Sequence, residues 1–235
     1  MELRERLEAA IKHFWTVRET QGTAQTRRGT HDQGGRSQVT GGKQMDGLAD
    51  LVRDLLVEQG IDREHVFTRS KLELPGYFRP AKQWDLIVVQ DGKLLAAVEF
   101  KSQVGSFGNN FNNRTEEALG NSLDLWRAYE KNKFQRLPAP WLGYLFLLEE
   151  AAGSTAPVAV PEPHFVVFPE FKDASYQRRY ELFCERLIKE KLYHGACFLM
   201  SARESGRRGT YSEPVDGLNF ERFVKGLLGH IAANG

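Results

Sequence analysis

Cysteine is scarce in this chain: Cys184 and Cys197 are the only two among 235 residues. A pair of thiols in a chain of this length is not a disulfide framework, and both read as small buried hydrophobes in a reducing compartment. Metal-ligand spacing is missing as well. The histidines at 13, 31, 65, 164, 194 and 230 never recur at i, i+4, and neither cysteine lies close to another, so a zinc or haem centre has no support. Net charge is almost absent: 32 Lys+Arg against 31 Asp+Glu leave +1. Bulk charge therefore points to no polyanionic partner, and any basic surface is local. No apolar run approaches the roughly 18 residues of a membrane span, and the first six residues alternate charge without an apolar core, so the expectation is a soluble cytoplasmic protein with no membrane partner. Neither an internal repeat nor a G-x-x-x-x-G-K-[ST] phosphate loop is present.

What is present is enough apolar material, 41% with 11% aromatic, for one sizeable core, read as a single domain over 1–235. Leu3, Leu7, Ala10, Ile11, Phe14 and Val17 recur at helical spacing and predict a helix over 2–20 that stops before Gly22. Residues 22–43 hold six glycines, with Arg27, Arg28, Arg36 and Lys43 against a lone Asp32, and form an arm that cannot build a core. A helix comes next over 45–59, ended by Gly60, and then a strand within 66–74 before Pro75-Gly76. Two β-rich runs, WDLIVVQ at 84–90 and KLLAAVEFK at 93–101, flank Asp91-Gly92, a strong hairpin signal. Asn113 with Glu116 predicts a helix start running to about Lys133, and LGYLFLL at 142–148 predicts a strand buried on both faces. A surface loop at 151–163, strands at 165–168 and 195–200, and helices at 176–193 and 219–232 complete the order. The fold class is α/β, with a mixed central sheet flanked by helices.

The chemistry centres on the hairpin. Asp85 and Glu99 are acids within apolar strands, and a buried acid is costly unless paired or bound to metal. Alternation puts Glu99 and Lys101 on one face and Phe100 on the other. Asp85 joins them only in one register. A two-residue turn pairs residues whose numbers sum to 183 and places Asp85 on the wrong face; a three-residue Gln90-Asp91-Gly92 loop makes the sum 182 and pairs Asp85 with Ala97. The expectation is that bulged register, or an equivalent irregularity nearby. Two carboxylates and a lysine so placed suit a divalent-metal hydrolase: Asp85, Glu99 and the Phe100 backbone carbonyl hold Mg²⁺, and Lys101 orients or helps deprotonate the attacking water and stabilises the pentavalent transition state. The bland alternative is a strand-end acid beside a solvated Glu-Lys pair.

Downstream, residues 105–114 read as an Asn-rich loop. Asn109, Asn110, Asn112, Asn113 and Arg114, interleaved with Phe107 and Phe111, match the side chains that bind adenine and guanine edges. Arg203, Arg207 and Arg208, in a loop after the 195–200 strand, are equipped for phosphate and guanine contacts, and the 22–43 arm for wrapping a duplex. Each of these segments can equally be an ordinary solvated turn, loop or disordered arm.

The WDLIVV run, the VEFKSQ strand, the GNNFNNRTEEALGNS stretch and the GGKQMDGL segment at 41–48 together resemble the XhoI-type type II restriction endonucleases, over most of the chain. The acid and acid-x-Lys elements are shared across the PD-(D/E)XK nuclease superfamily. The resemblance implies a prokaryotic, homodimeric, Mg²⁺-dependent nuclease that cuts both strands of double-stranded DNA at CTCGAG, leaves 5′ overhangs and works beside a cognate methyltransferase. By motif match Asp85, Glu99 and Lys101 are catalytic. The chain departs from the superfamily pattern in carrying Trp84 where Pro precedes the first acid. Some superfamily members add an acid from the preceding helix, which makes Asp46 a candidate fourth site residue; its other role is to start that helix, where an acid favours the dipole.

Three other readings compete. A structure-selective repair or junction nuclease needs a broad basic surface, which the charge balance does not favour. A non-catalytic DNA-binding protein on the same fold is favoured if the two acids and the lysine fail to converge. A hydrolase of small phosphoesters lacks an enclosed phosphate loop.

Overall fold

Strands form where apolar and β-branched residues run unbroken, and in this chain those runs assemble one five-stranded sheet with helices on both faces. The computed structural model describes residues 2–28, 43–134 and 139–234, with 22–28 described in backbone alone. The strands are β1 (Val66–Phe67), β2 (Glu73–Leu74), β3 (Lys82–Gln83), β4 (Leu86–Gln90), β5 (Lys93–Gln103), β6 (Trp141–Glu149) and β7 (Gly195–Ser201). The main sheet runs β1-β4-β5-β6-β7, and β2 and β3 form a separate small hairpin. β1, β4 and β5 are antiparallel neighbours, whereas β5, β6 and β7 are parallel. β6, buried along all but its last residue, is the continuous apolar strand expected of a sheet covered on both faces.

Five longer helices cover it: α1 (Leu3–Arg28), α2 (Asp46–Glu58), α3 (Phe107–Glu130), α4 (Tyr176–Lys189) and α5 (Phe220–Asn234). Leu7, Ile11 and Phe14 of α1, Leu48 and Val52 of α2 and Phe223 and Leu227 of α5 pack with Val98, Phe100, Leu145 and Leu199 on one face. On the other, Ala118 and Leu125 of α3 and Tyr180, Phe183 and Leu187 of α4 meet Ala97, Tyr144, Phe146 and Phe198. The ring stack of Phe146 on Tyr180, with centroids 4.1 Å apart, lies at the middle of that layer; such pairs add about 0.5–1.5 kcal/mol beyond the area they bury. The crossovers β5-α3-β6 and β6-α4-β7 step in one direction, so both helices fall on the same face.

The structure corrects several sequence expectations. α1 continues through Gly22 to Arg28; a glycine inside a helix costs only about 1 kcal/mol relative to alanine and need not end one. The rest of the predicted arm, 29–42, lies outside the described residues. The strand expected within 66–74 is two separate pairs of residues. Residues 165–168 form no strand, and Phe165, Val166 and Phe168 are exposed: Pro161, Pro163 and Pro169 around them cannot donate to a ladder. α4 ends at Lys189 rather than at 193, and the loop at 151–163 contains one helical turn, Ala152–Thr155.

The Asn-rich stretch is helix, not loop, because α3 begins at Phe107, six residues before the predicted start. Gly105 and Ser106 turn the chain through the left-handed region, with φ of 67° and 45°. The Gln103 amide holds this corner by donating to the carbonyls of both (3.0 and 2.9 Å), and Glu149 accepts from the Gly105 N–H at 2.9 Å. Phe107 and Phe111, one helical turn apart, then pack on Tyr176 and Tyr180. That i, i+4 aromatic pair is the helical signal which the asparagines obscure.

The β4–β5 hairpin turns at two residues, Asp91 and Gly92, both left-handed (φ 51° and 74°). Next to the turn the partners sum to 183 (Val89 with Leu94), but beyond a bulge they sum to 184 (Val88 with Ala96, Leu86 with Val98). The extra residue is Leu95, which is buried in the same core layer as Ala96. The expected three-residue loop and the Asp85–Ala97 pairing are therefore wrong, while the required parity is met by an irregularity three residues further on. Gly92→Val, which forces a branched side chain into the left-handed region, is expected to cost about 1–2 kcal/mol in urea unfolding; the same change at Gly217, where a Cβ meets open space at negative φ, should cost less than half as much.

Candidate active site

Leu86 pairs with Val98, so one step further along the same register Asp85 faces Glu99 across the strands. The Asp85 backbone N–H donates to the Val98 carbonyl at 3.3 Å, and its carboxylate Oδ2 accepts from the Phe100 N–H at 2.8 Å. A strand residue sends its N–H and C=O to the same side. The Phe100 carbonyl therefore faces the Asp85 side, while the Phe100 ring lies in the opposite core layer. Glu99 is only 2% exposed. Lys101, the next residue on its face, pairs with its Oε1, and Lys82 from β3 pairs with its Oε2 at 2.6 Å. Two carboxylates and two ammonium ions thus share one partly buried pocket without net charge.

Burial pushes the Asp85 carboxyl up to about 6, with the neighbouring Glu99 charge adding to the rise and Lys101 opposing it. Glu99 goes the other way: burial would raise it, but Lys101 and Lys82 together outweigh that and hold it below the usual range. Lys101 is held above its ordinary value despite burial, because Glu99 and Asp85 both favour its charge. The oxygens of Asp85, Glu99 and the Phe100 carbonyl form a hard donor set, beside an ammonium ion that keeps its proton.

Comparison with known proteins assigns this architecture. The family model described as restriction endonuclease XhoI matches residues 24–213. The type II restriction enzyme BstVI of Geobacillus stearothermophilus is 53% identical over 207 residues, covering 86% of this chain and 92% of the relative. AbrI of Azospirillum brasilense is 49% identical over 158 residues (66% and 71%), and XhoI of Xanthomonas vasicola 46% over 160 (66% and 64%). This chain belongs to the XhoI restriction endonuclease family. No solved structure matches it significantly.

Of the site residues expected from the sequence of this family member, Asp85, Glu99, Phe100 and Lys101 converge. Asp46 does not join them. It starts α2 and pairs with Arg69 at 3.5 Å, and among the described residues no three acids, histidines or cysteines stand close enough to hold a metal. It is Gln44, two residues earlier, that reaches β5: its amide donates to Ser102 Oγ at 2.8 Å and accepts from Arg18 at 3.2 Å.

Lys82 is the residue that sequence reasoning missed. A lysine three positions before an acid belongs to no motif; the one available signal was that two buried carboxylates need more than one cation.

The expected DNA-contacting residues are spread over three places. Asn109, Asn112 and Asn113 are exposed on the first turns of α3, and Asn110 is half-buried. Arg114 turns inward: it pairs with Glu117 at 2.7 Å, its Nε is buried without a hydrogen-bond partner among the described residues, and its charge acts on Lys101. After β7, Arg203 pairs with Glu149 at 3.5 Å and Arg207 with Glu19 at 3.0 Å, whereas Arg208 is exposed and makes no ion pair among the described residues. Lys43 is exposed in the 43–45 turn; Arg27 and Arg28 end α1 with side chains outside the described residues, as is all of Arg36. Contacts of Glu149 with both Gly105 and Arg203 gather α3 and the arginine turn at the carboxyl ends of β5, β6 and β7.

The loop between β2 and β3 is held just as firmly. Asp124 of α3 accepts from the N–H groups of Tyr77 and Phe78, both at 2.7 Å, and from Arg79 Nε at 2.6 Å. A Cβ on Gly76 would stand 2.3 Å from this carboxylate, which is why glycine is required there.

Two stability measurements test these environments. The folded state favours protonated Asp85, so its contribution is complete below about pH 4 and lost as pH rises through about 6. Between pH 4 and 8, with a chelator present, the wild type should lose about 2–3 kcal/mol relative to Asp85→Asn, read by urea unfolding. Asp124 is held below the usual range by its Arg79 and backbone partners against the pull of burial, so its contribution is present above that range and fades as pH falls. Asp124→Ala should cost about 3 kcal/mol at pH 7 and progressively less as pH falls below the usual carboxylate range, read by urea unfolding.

Proposed function

We propose that this protein is a homodimeric, Mg²⁺-dependent type II restriction endonuclease that cuts both strands of double-stranded DNA at CTCGAG, leaves 5′ overhangs and is paired in its host with a cognate methyltransferase. The observation that carries the reading is the convergence of Asp85, Glu99 and Lys101 on one face of the β4–β5 hairpin, in a chain of the XhoI restriction endonuclease family. A dimer whose two-fold axis coincides with that of a palindrome reads both half-sites with one set of side chains and offers one active centre to each strand.

In this reading Asp85, Glu99 and the Phe100 carbonyl hold Mg²⁺. The ion, when bound, stabilises charge on the phosphoryl oxygens and lowers the pKa of a bound water. Lys101 retains its proton, so it acts as a donor: it orients the attacking water and supports the charge that builds on the non-bridging oxygens. Asp85, close to half-ionised near pH 6, is fully available as a ligand only above that pH. Asn109, Asn112, Asn113 and Arg208, on the exposed surface at the carboxyl ends of the parallel strands, are the residues best placed to meet bases and phosphates.

The test is digestion of a plasmid carrying a single CTCGAG site, with Mg²⁺ or EDTA, followed by sequencing of the product ends. One Mg²⁺-dependent double-strand cut, absent in Asp85→Ala, is the expected result; cutting elsewhere removes the proposed specificity, and no cutting of unmethylated DNA favours a binding protein. Lys101→Ala should reduce cleavage at least 1,000-fold (about 4 kcal/mol) while leaving site-specific binding within a few-fold. Arg208→Ala should instead weaken binding and flatten its salt dependence, measured by filter binding. Equal loss of binding in both variants would contradict the division of roles.

A further inference from the structure

Lys82 lies outside the acid and acid-x-Lys pattern, yet it is fixed as tightly as any residue of the site. Its ammonium ion is 2.6 Å from Glu99 Oε2 and 2.9 Å from the Gln83 carbonyl, and it stands 4.2 Å from the centroid of the Trp84 ring. The side chain is 11% exposed and that of Glu99 3%. Trp84, the residue that replaces the superfamily proline, is 2% exposed and presents its ring to this cation, a cation–π arrangement. β3, which carries Lys82, belongs to the hairpin whose loop Asp124 clamps, so the backbone that bears the ammonium ion is anchored through that loop and through its pairing with β2.

Lys101 and Lys82 between them take both oxygens of Glu99. Any cation that coordinates Glu99 must displace or share one of them, and a divalent ion would add two positive charges to a group that is neutral as it stands. Lys101 lies on the same strand as Glu99, two residues away. Lys82 comes from a different hairpin, so it can withdraw without disturbing β5.

We propose that Lys82 is a positioning residue that governs entry of the divalent cation: it holds Glu99 Oε2 in the free protein and transfers its ammonium ion to a phosphate of the bound DNA strand, which frees that oxygen for the metal. This rests on the reading of Asp85 and Glu99 as the metal site. It makes DNA and metal bind cooperatively, because the phosphate supplies both a new partner for Lys82 and the negative charge that the ion requires.

The experiment is titration of the full chain with Ca²⁺ or Mn²⁺, followed by calorimetry or Mn²⁺ spin resonance, with and without a short CTCGAG duplex. Without DNA, Lys82→Gln and Lys82→Met should bind the cation at least tenfold tighter than wild type, and Lys82→Arg within about threefold of it. The duplex should tighten the cation strongly on wild type and far less on Lys82→Gln. Two substitutions of different polarity guard against a folding defect in one, and thermal melting in EDTA identifies any variant that has failed to fold. Unchanged or weaker cation binding by both folded variants overturns the role of Lys82. Glu99→Gln separates that failure from failure of the underlying reading: if it leaves cation binding as it is in wild type, Glu99 is not a ligand and both statements fall. If it abolishes binding while the Lys82 variants behave as wild type, the metal site stands and the proposal for Lys82 alone is wrong.

Discussion

Side chains alternate along a strand, so an acid on β4 and an acid on β5 can meet only when the pairing between the strands has the right parity, and the extra residue at Leu95 supplies it. A two-residue turn of the Asp91-Gly92 kind is the one best matched to the twist of a hairpin, and continued without interruption it would send Asp85 into the opposite layer. The bulge reconciles a favourable turn with a face that the two acids share. It also places Leu95 and Ala96 together in the layer beneath α1, α2 and α5, so that the irregularity is held by packing.

With that parity set, the electrostatics are constrained in turn. An ionised Glu99 with almost no exposure would be too costly alone, and the two lysines offset the cost by holding both oxygens. Asp85, whose nearest compensation is one backbone N–H and more distant cations, stays poised near 6. The two acids therefore differ in kind: the lysines favour the charged form of one, while burial favours the neutral form of the other. The lysine that completes the neutral group comes from the β2–β3 hairpin, tied through Asp124 to α3. The Asp85, Glu99 and Lys101 cluster and the helix bearing the exposed asparagines are thus linked through direct hydrogen bonds. α3 in turn is positioned by the Gln103–Gly105–Ser106 corner directly after β5.

The parallel half of the sheet determines where a long ligand can lie. β5, β6 and β7 all end at the same edge, where the start of α3, the Glu149 carboxylate and the arginine turn meet through direct contacts. Loops at the carboxyl ends of parallel strands are the common location of ligand sites in α/β folds, and here the hairpin carboxylates sit beside that edge. Arg203 and Arg207 are already engaged with Glu149 and Glu19, which distinguishes them from Arg208, a residue with no such ion pair among the described residues.

Much of this was legible in the residues themselves. Continuous apolar runs specify β6 and β7, Asp91-Gly92 specifies the turn, Gly60 the end of α2, and the Asp85, Glu99, Lys101 pattern the cluster of charges on the hairpin, because period, turn propensity and the cost of burying charge are local properties. The same local rules misread the asparagine stretch, where two phenylalanines that anchor α3 to Tyr176 and Tyr180 outweigh the turn preference of four asparagines. They also misread 165–168, whose apolar residues stand among prolines that cannot donate to a ladder. The sequence by itself determined which groups are available and that an irregularity had to exist in the hairpin. Only the tertiary structure decided where that irregularity lies, that Asp46 stays with Arg69, and that Lys82 reaches Glu99, since each depends on how separate elements pack and not on spacing along the chain.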